Sequence, residues 1–278
     1  MPEQLPPPVV ITAPVTQSPA AQPVVTTEII TPADGLVTAW TTLPAADGFV
    51  LPVYIARPTG PGPFPVVVVV QEIFGVHRHI ADVARRLAKA GYLAVAPELF
   101  ARLGDPKVAP DAETLRRDFV SRTGDAQVLS DLDATVVWAT AAAQGGDINR
   151  LALTGFCWGG RITWLYAAHQ PKLRAAVAWY GRLTGDKTTL QPQFPIDVVA
   201  SLQAPVLGLY GGQDQGIPLA TVEAQRAALR AAGKPGEIIV YPDAPHAFNA
   251  DYRASYRAGP AHDGWDHLLK WFADHGVR

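Results

Sequence analysis

The chain has 278 residues, of which 48% are hydrophobic and 17% are charged, and its formal net charge is −2 at pH 7. These values are ordinary for a soluble globular protein, and the length suits one α/β domain with a single large core. The near-neutral charge, without any basic run, argues against nucleic acid and anionic membranes as partners. Apolar runs stay far below the roughly 18 to 20 residues of a membrane span, which argues against an integral membrane protein.

The first thirty residues differ in composition from the rest of the chain. They contain seven of the 26 prolines, and neither Lys nor Arg occurs before Arg57. This composition predicts a mobile, Pro-rich arm over residues 1–30, followed by a single α/β domain over residues 31–278. The arm lacks the positive n-region and unbroken apolar core of a secretory signal, so we expect a cytoplasmic protein. A Pro/Ala/Thr tract is also typical of the spacer left after an export signal is removed, so an exported form stays an alternative.

Strands and helices alternate after the arm. In the first half, β-branched runs and turn signals predict strands over residues 37–42, 50–57, 64–71 and 93–97. Between the last two strands, apolar residues at helical spacing predict a helix over residues 79–90, which ends at Gly91. Residues 98–123 have weak periodicity and several breakers, which predicts a long loop over a functional site.

The second half continues the alternation. Helices are predicted over residues 125–143, with Asp125 as the cap, and over residues 161–168, 218–232 and 264–272. Strands are predicted over residues 151–156, 175–180, 206–210 and 237–241. This order predicts a mostly parallel central sheet with helices on both faces, joined by right-handed crossovers.

A Gly-x-Cys-x-Gly turn joins one predicted strand to the helix after it. Gly155 and Gly159 flank Cys157 at the spacing of a nucleophile elbow, in which one strained residue occupies the corner between strand and helix. Cys157 is the only cysteine, so the chain cannot form an internal disulfide, and a helix N-terminus behind the sulfur would favour the thiolate. A lone cysteine after a core strand is more often an inert apolar residue, and the rest of the chain must decide between the two interpretations.

Two loops at the carboxyl ends of later strands carry partners for the cysteine. Asp214 follows the predicted strand 206–210 in a glycine turn, and His246 follows the strand 237–241. Alone, Asp214 could be a turn former and His246 a solvated loop residue. Together with the elbow they have the order nucleophile, acid, base of the α/β-hydrolase enzymes, which predicts a catalytic triad.

The remaining motifs favour neither a metal nor a cofactor. His77, His79, His262 and His267 have no cysteine partners and no zinc-motif spacing. The glycines match neither a Walker motif nor a dinucleotide fingerprint. We therefore expect a protein that binds a small molecule and needs no cofactor.

Four segments, over a range from roughly Thr42 to the C-terminus, resemble the dienelactone hydrolase family, the carboxymethylenebutenolidases. They are Gly155 to Gly160, Gln71 to Gly75, Gly91 to Arg102 and Tyr241 to Phe248. The resemblance implies a compact α/β-hydrolase fold with a Cys-His-Asp triad. It also implies the family's type reaction, the opening of a five-membered enol-lactone to maleylacetate through a thioester and without a cofactor.

The resemblance also implies roles for individual residues. It gives Cys157 as nucleophile, His246 as base, Asp214 as the acid that orients the imidazole, and Glu72 as a further carboxylate beside the thiol. The backbone N–H groups of Ile73 and Trp158 are the implied donors to the oxyanion.

The implied substrate contacts are less complete. Tyr180 matches a pocket residue of the family, but Ala250 stands where the type enzyme has an arginine for the substrate carboxylate. Arg253 could replace that arginine, with Arg116 or Arg117 as the second cation. The substrate is then a dienelactone or another small activated ester.

Two other classes of function are alternatives to the hydrolase. A thiol redox or sensing protein could use Cys157 without turnover, although a sensor usually has a resolving cysteine and needs no triad. A binding protein could keep the pocket without catalysis. The sequence favours the cysteine-dependent hydrolase, and it gives no indication of the oligomeric state.

Overall fold

The structure, a computed structural model, describes residues 19–278. Its strands are β1 Leu36–Pro44, β2 Val50–Pro58, β3 Phe64–Val70, β4 Leu93–Pro97, β5 Gly146–Phe156, β6 Ala175–Trp179, β7 Val206–Gly211 and β8 Gly236–Tyr241. Its α-helices are α1 Arg78–Lys89, α2 Ala112–Asp118, α3 Asp125–Ala139, α4 Trp158–His169, α5 Pro195–Val198, α6 Leu219–Ala232 and α7 Ala258–Asp274.

The described strands form one sheet with the order β1-β2-β4-β3-β5-β6-β7-β8. The first two strands are an antiparallel hairpin, and β2 pairs antiparallel with β4. From β4 onward every pairing is parallel, so six strands have their carboxyl ends at one edge. The predicted α/β-hydrolase fold, with a mostly parallel sheet surrounded by helices, is confirmed.

Burial of the central strands explains why their sequences are continuous apolar runs. Val66 to Val70 in β3 and all five residues of β6 are buried, as expected for parallel strands covered on both faces. In β5, the neighbour of β3, polar residues occur only before Leu151, apart from Thr154, whose hydroxyl donates to the Val177 carbonyl at 2.9 Å. The core therefore fixes the strand ends that carry the site.

Several predicted boundaries differ from the structure. The predicted loop 98–123 contains α2 and three short 3₁₀ turns, and α3 ends at Ala139 because Thr140 already leaves the helical conformation. Gly124, not Asp125, is the N-cap of α3. Asp125 is instead the first helical residue, and its carboxylate makes a buried bidentate pair with Arg161 at 2.7 Å.

The predicted arm falls into two parts. Residues 1–18 lie outside the described residues, and their mobility stays a prediction. Residues 19–30 have contacts with the domain: Ala21 is buried, and the N–H of Val24 donates to the Tyr252 carbonyl at 3.1 Å. These contacts attach the described part of the arm to the loop that follows β8.

Candidate active site

Cys157 occupies a strained corner between β5 and α4. Its backbone has φ 56° and ψ −112°, a conformation that costs a residue other than glycine on the order of 1 to 3 kcal/mol. The flanking glycines permit the close approach of neighbouring backbone. A Cβ on Gly155 would lie 2.3 Å from the Gly159 carbonyl oxygen, and one on Gly159 would lie 2.5 Å from the Val70 carbonyl oxygen. The structure therefore has the geometry of a nucleophile elbow, with the sulfur at the N-terminus of α4.

Cys157, His246 and Asp214 come together at the carboxyl ends of β5, β8 and β7. His246 Nε2 lies 3.2 Å from the Cys157 sulfur, and His246 Nδ1 lies 2.6 Å from Asp214 Oδ2. Asp214 is buried, and its Oδ1 accepts the Gly216 N–H at 2.8 Å. The Gly216 N–H from the same loop holds the Asp214 carboxylate in place. Asp214 therefore accepts the proton of His246 Nδ1 and orients the ring so that Nε2 faces the sulfur.

The surroundings of His246 favour its protonated form. Burial opposes that charge, but the Cys157 sulfur and the Asp214 carboxylate outweigh burial and raise the pKa of His246 to about 10. The site thus holds a proton on the imidazole next to the sulfur. Such an imidazolium can donate that proton to a departing oxygen at neutral pH.

Glu72 follows β3, the strand that pairs with β5. Val70 is in register with Gly155, so Glu72 and Cys157 each lie two residues beyond this pair at the same sheet edge. The Glu72 carboxylate is buried, and its Oε2 receives two donors: the Tyr252 hydroxyl at 2.8 Å and His77 Nε2 at 3.3 Å. Burial opposes ionisation, but the His77 hydrogen bond and the nearby positive charge of Arg253 lower the pKa of Glu72 to about 2.

The tautomer of His77 follows from its second contact. His77 Nδ1 accepts the backbone N–H of His79 at 3.1 Å, and burial lowers the pKa of His77. A neutral ring that accepts at Nδ1 carries its proton at Nε2, so His77 donates to Glu72. Neither His77 nor Tyr252 was predicted as a site residue. His77 was noted in the sequence only as a histidine without zinc spacing.

The cavity above the sulfur has a volume of about 620 Å³. Its lining combines apolar side chains with amides, three arginines and two carboxylates, those of Asp186 and Asp214. Seven of the predicted site residues line this cavity: Ile73, Arg116, Cys157, Trp158, Tyr180, Asp214 and His246. In the described chain, the backbone N–H groups of Ile73 and Trp158 have no hydrogen-bond acceptor, so both can donate to a ligand.

Only some of the arginines that were predicted to bind substrate line the cavity. Arg116, on α2, lines the cavity, whereas Arg117 pairs with Asp118 at 2.7 Å. Arg253 does not line the cavity, and its guanidinium lies 5.5 Å from the ring centre of Phe74. Arg182, which was not predicted as a site residue, also lines the cavity and is exposed.

Tyr180 contributes an unpaired hydroxyl next to the triad. Its backbone φ is 37°, its ring packs edge-on against the His246 ring at 5.2 Å, and its buried hydroxyl has no partner in the described chain. Burial, together with the nearby charges of Glu72 and Cys157, raises its pKa well above 10. Tyr180 therefore stays protonated and can donate to a bound ligand.

Neither a metal cluster nor a membrane-spanning helix was found in the part of the chain that the structure describes. Residues 19–278 contain no group of three His, Cys, Asp or Glu side chains placed to hold a metal ion. Among the same residues, no helix combines the length and apolar character needed to cross a membrane.

Comparisons with known proteins agree on one family. The sequence model of the dienelactone hydrolase family matches residues 51–276. A protein of Escherichia coli (strain K12) named "Putative carboxymethylenebutenolidase" is 57% identical over 260 residues, which are 93% of this chain and 95% of that protein. A "Probable 2-oxo-3-(5-oxofuran-2-ylidene)propanoate lactonase" of Bradyrhizobium sp is 34% identical over 223 residues, with 80% and 88% covered.

A solved structure is also similar over most of its length. The crystal structure of a "Putative Dienelactone Hydrolase" from Klebsiella pneumoniae is 58% identical in sequence and has a TM-score of 0.83. The match covers 86% of this chain and 98% of that one.

Proposed function

The chain belongs to the dienelactone hydrolase family, and on this basis we propose that it hydrolyses small carboxylic esters or lactones with Cys157 as the nucleophile. The observation that carries the proposal is the hydrogen-bonded series Asp214, His246, Cys157 at a strained elbow that lines a cavity. The two relatives carry the names "Putative carboxymethylenebutenolidase" and "Probable 2-oxo-3-(5-oxofuran-2-ylidene)propanoate lactonase", so a lactone is the first substrate to consider.

In the first half of the proposed reaction, the Cys157 sulfur attacks the ester carbonyl carbon. The carbonyl oxygen becomes an oxyanion, which accepts the N–H groups of Ile73 and Trp158; one such donor is typically worth about 3 kcal/mol. When the tetrahedral intermediate collapses, the C–O bond of the ester breaks. The departing oxygen takes the proton of His246 Nε2, and the acyl group stays on sulfur as a thioester.

In the second half, water replaces the alcohol. His246, now neutral, accepts a proton from the water that attacks the thioester carbonyl. The C–S bond breaks, the acid product leaves, and the sulfur is released as a thiolate beside the protonated imidazole. Asp214 supports both halves by keeping Nδ1 protonated and Nε2 directed at the reacting atoms.

We assign Glu72 the role of accepting the thiol proton when substrate binds. Its carboxylate and Cys157 occupy equivalent positions at the ends of neighbouring strands. A carboxylate with a pKa of about 2 is a weak base, so it accepts this proton only after a bond to His77 or Tyr252 has lengthened. Once the acid product has left, Glu72 returns this proton to the Cys157 thiolate. The resting sulfur is therefore a thiol, which is protected from oxidation until an ester is present.

The cations of the cavity favour an anionic substrate. Arg116 and Arg182 both line the cavity and are exposed, and neither forms an ion pair within residues 19–278. A free guanidinium pairs well with a carboxylate, because its planar donors match the two oxygens. We therefore assign these two arginines to the substrate carboxylate, while Arg253 acts on Glu72 through its charge.

The experiment is steady-state turnover with a matched panel of esters. The panel contains a dienelactone, a saturated lactone, and aryl esters with and without a free carboxylate, each with wild type and Cys157→Ala. We expect turnover of the activated esters by wild type only. Turnover that persists in well-folded Cys157→Ala would reject the cysteine mechanism, and a wild type inactive on the whole panel would reject the proposed hydrolase.

A further inference from the structure

Residues 24–31, which we call the N-terminal strap, lie against the loop that follows His246. The Val24 N–H donates to the Tyr252 carbonyl at 3.1 Å, and the Thr27 hydroxyl donates to the Asp251 carbonyl at 2.5 Å. Within residues 19–278, these are the only hydrogen bonds that reach those two carbonyl groups. The strap thus supplies the donors that this buried stretch of backbone requires.

The other end of the strap is attached to α1. Thr31 donates its N–H to Asp82 Oδ1 at 2.6 Å and its hydroxyl to Asp82 Oδ2 at 3.1 Å. The Thr31 carbonyl accepts from Arg85 Nε at 3.0 Å, and Glu28 pairs with Arg78 at 3.3 Å. Arg78 is the first residue of α1, so the strap contacts this helix along its first two turns.

The strap contacts two elements, the loop after β8 and helix α1, and each of them positions one of the two hydrogen-bond donors to Glu72. Tyr252 belongs to the loop that the strap holds, and His77 immediately precedes α1. The loop around Tyr252 consists of turns, with local bonds such as Arg253 N–H to the Ala250 carbonyl at 3.0 Å. Local bonds shape a turn but do not fix its distance from another element. That distance depends on longer-range contacts. They include the strap, the pairs of the Asp251 carboxylate with His79 and Arg86 of α1, and the packing of the Tyr252 ring against the rings of His77 and His79.

From this arrangement we infer that the N-terminal strap is a positioning element of the active site, which acts through Tyr252 on Glu72. It holds the Asp251–Tyr252 backbone at the distance from α1 at which the Tyr252 hydroxyl reaches Glu72. The inference rests on the proposed function, in which Glu72 accepts the thiol proton. Without the strap bonds, the Asp251 ion pairs and the ring contacts of Tyr252 still hold the loop near α1, but the Tyr252 hydroxyl is positioned less firmly at the Glu72 carboxylate.

Substitution of Thr27 in the full-length protein tests this inference, because the Thr27 side chain bonds to the loop through its hydroxyl alone. Thr27→Val removes the donor, and Thr27→Ser keeps it. Thr26→Val changes an exposed neighbour that forms no hydrogen bond within residues 19–278. We expect Thr27→Val to lower kcat roughly three- to tenfold with KM unchanged, as for one lost hydrogen bond that acts on the reacting groups. Thr27→Ser and Thr26→Val should match wild type. Equal kcat in Thr27→Val and wild type overturns the inference.

A double-mutant cycle separates positioning from general stability. If the strap acts through Tyr252, Thr27→Val causes no further loss of kcat in a Tyr252→Phe background. If the strap only stabilises the fold, the two losses multiply, and that result also overturns the inference.

Hydrogen–deuterium exchange gives a readout that does not depend on turnover. Amides of residues 250–256 should exchange several-fold faster in Thr27→Val than in wild type and Thr26→Val. Unchanged exchange rejects the strap as the element that holds the loop, even if the enzyme acts on no ester tested. Failure of the proposed hydrolase is recognised separately, by a wild type that turns over no substrate of the panel.

Discussion

The Tyr252 hydroxyl donates to the Glu72 carboxylate at 2.8 Å, across 180 positions of sequence. Burial and the Glu72 charge raise the pKa of Tyr252 well above 10, so Tyr252 is always the donor in this pair. His77 donates to the same oxygen, Oε2. Since both donors face one oxygen, Oε1 of Glu72 has no hydrogen bond from the described residues. Glu72 is thus oriented through Oε2 alone.

The first prediction concerns the nucleophile. Cys157→Ala should lower kcat/KM for activated esters by at least about 10³-fold, because the thioester route is lost. Cys157→Ser should retain at most a small activity, since a hydroxyl ionises far less readily than a thiol. Mass spectrometry of the acyl-enzyme after rapid quench is the direct measurement. An acyl adduct on any residue other than Cys157 would contradict the assignment.

The proximity of Cys157, His246 and Asp214 could be predicted because its signals are local. Cys157, Asp214 and His246 each follow an apolar strand, and two of them sit in glycine turns that are visible in the sequence. Parallel pairing then brings the strand ends to one edge, so three local observations yield one site.

The surroundings of Glu72 could not be predicted in the same way. Tyr252 lies far from Glu72 in sequence, and His77 becomes a donor only because its Nδ1 caps α1 and its ring is buried. Arg182 carries no sequence signal that separates it from a solvated arginine. The composition of residues 19–30 suggested mobility, but the strap binds through a backbone N–H and threonine hydroxyls, which composition does not reveal.

The second prediction concerns the titration of His246. Where the Cys157 sulfur is a thiolate, the imidazole should titrate near pH 10; in Cys157→Ala, where Asp214 alone supports the charge, its pKa should be lower. Because the folded pKa is raised, the stability contributed by this group is complete below pH 6.5 and is lost as pH rises through 10. Two-dimensional NMR of labelled histidine measures the pKa directly. An unchanged titration in Cys157→Ala would show that the sulfur does not interact with the ring.

The third prediction concerns the carboxylate of the substrate. Arg116→Ala and Arg182→Ala should each lower kcat/KM about 10- to 100-fold for a carboxylate ester, the usual range for a lost charge-assisted hydrogen bond. The neutral ester of the same size should be affected less than about twofold. Arg117→Ala is the matched control, because Arg117 pairs with Asp118 and does not line the cavity. Equal losses on charged and neutral esters would remove these arginines from substrate selection.

The fourth prediction concerns catalysis by Glu72. Glu72→Gln keeps an oxygen that can accept from both Tyr252 and His77, so the variant should fold. It cannot accept a proton, and kcat should fall by about 10² to 10⁴, as for other lost general bases. A competitive inhibitor should change the alkylation rate of Cys157 in wild type beyond simple shielding, but not in the variant. Full turnover by folded Glu72→Gln would leave the triad to act without this carboxylate.

The same variant predicts a pH dependence of stability. The folded pKa of Glu72 is lowered from 4.5 to about 2, so its contribution is present above pH 4.5 and is lost as pH falls toward 2. Urea unfolding of wild type and Glu72→Gln between pH 3 and 7 should therefore show a difference in unfolding free energy that narrows below pH 4.5. Glu113→Gln, which changes an exposed carboxylate on α2, should show no such narrowing. A constant difference between wild type and Glu72→Gln over this range would mean that Glu72 is not held as an anion by Tyr252 and His77.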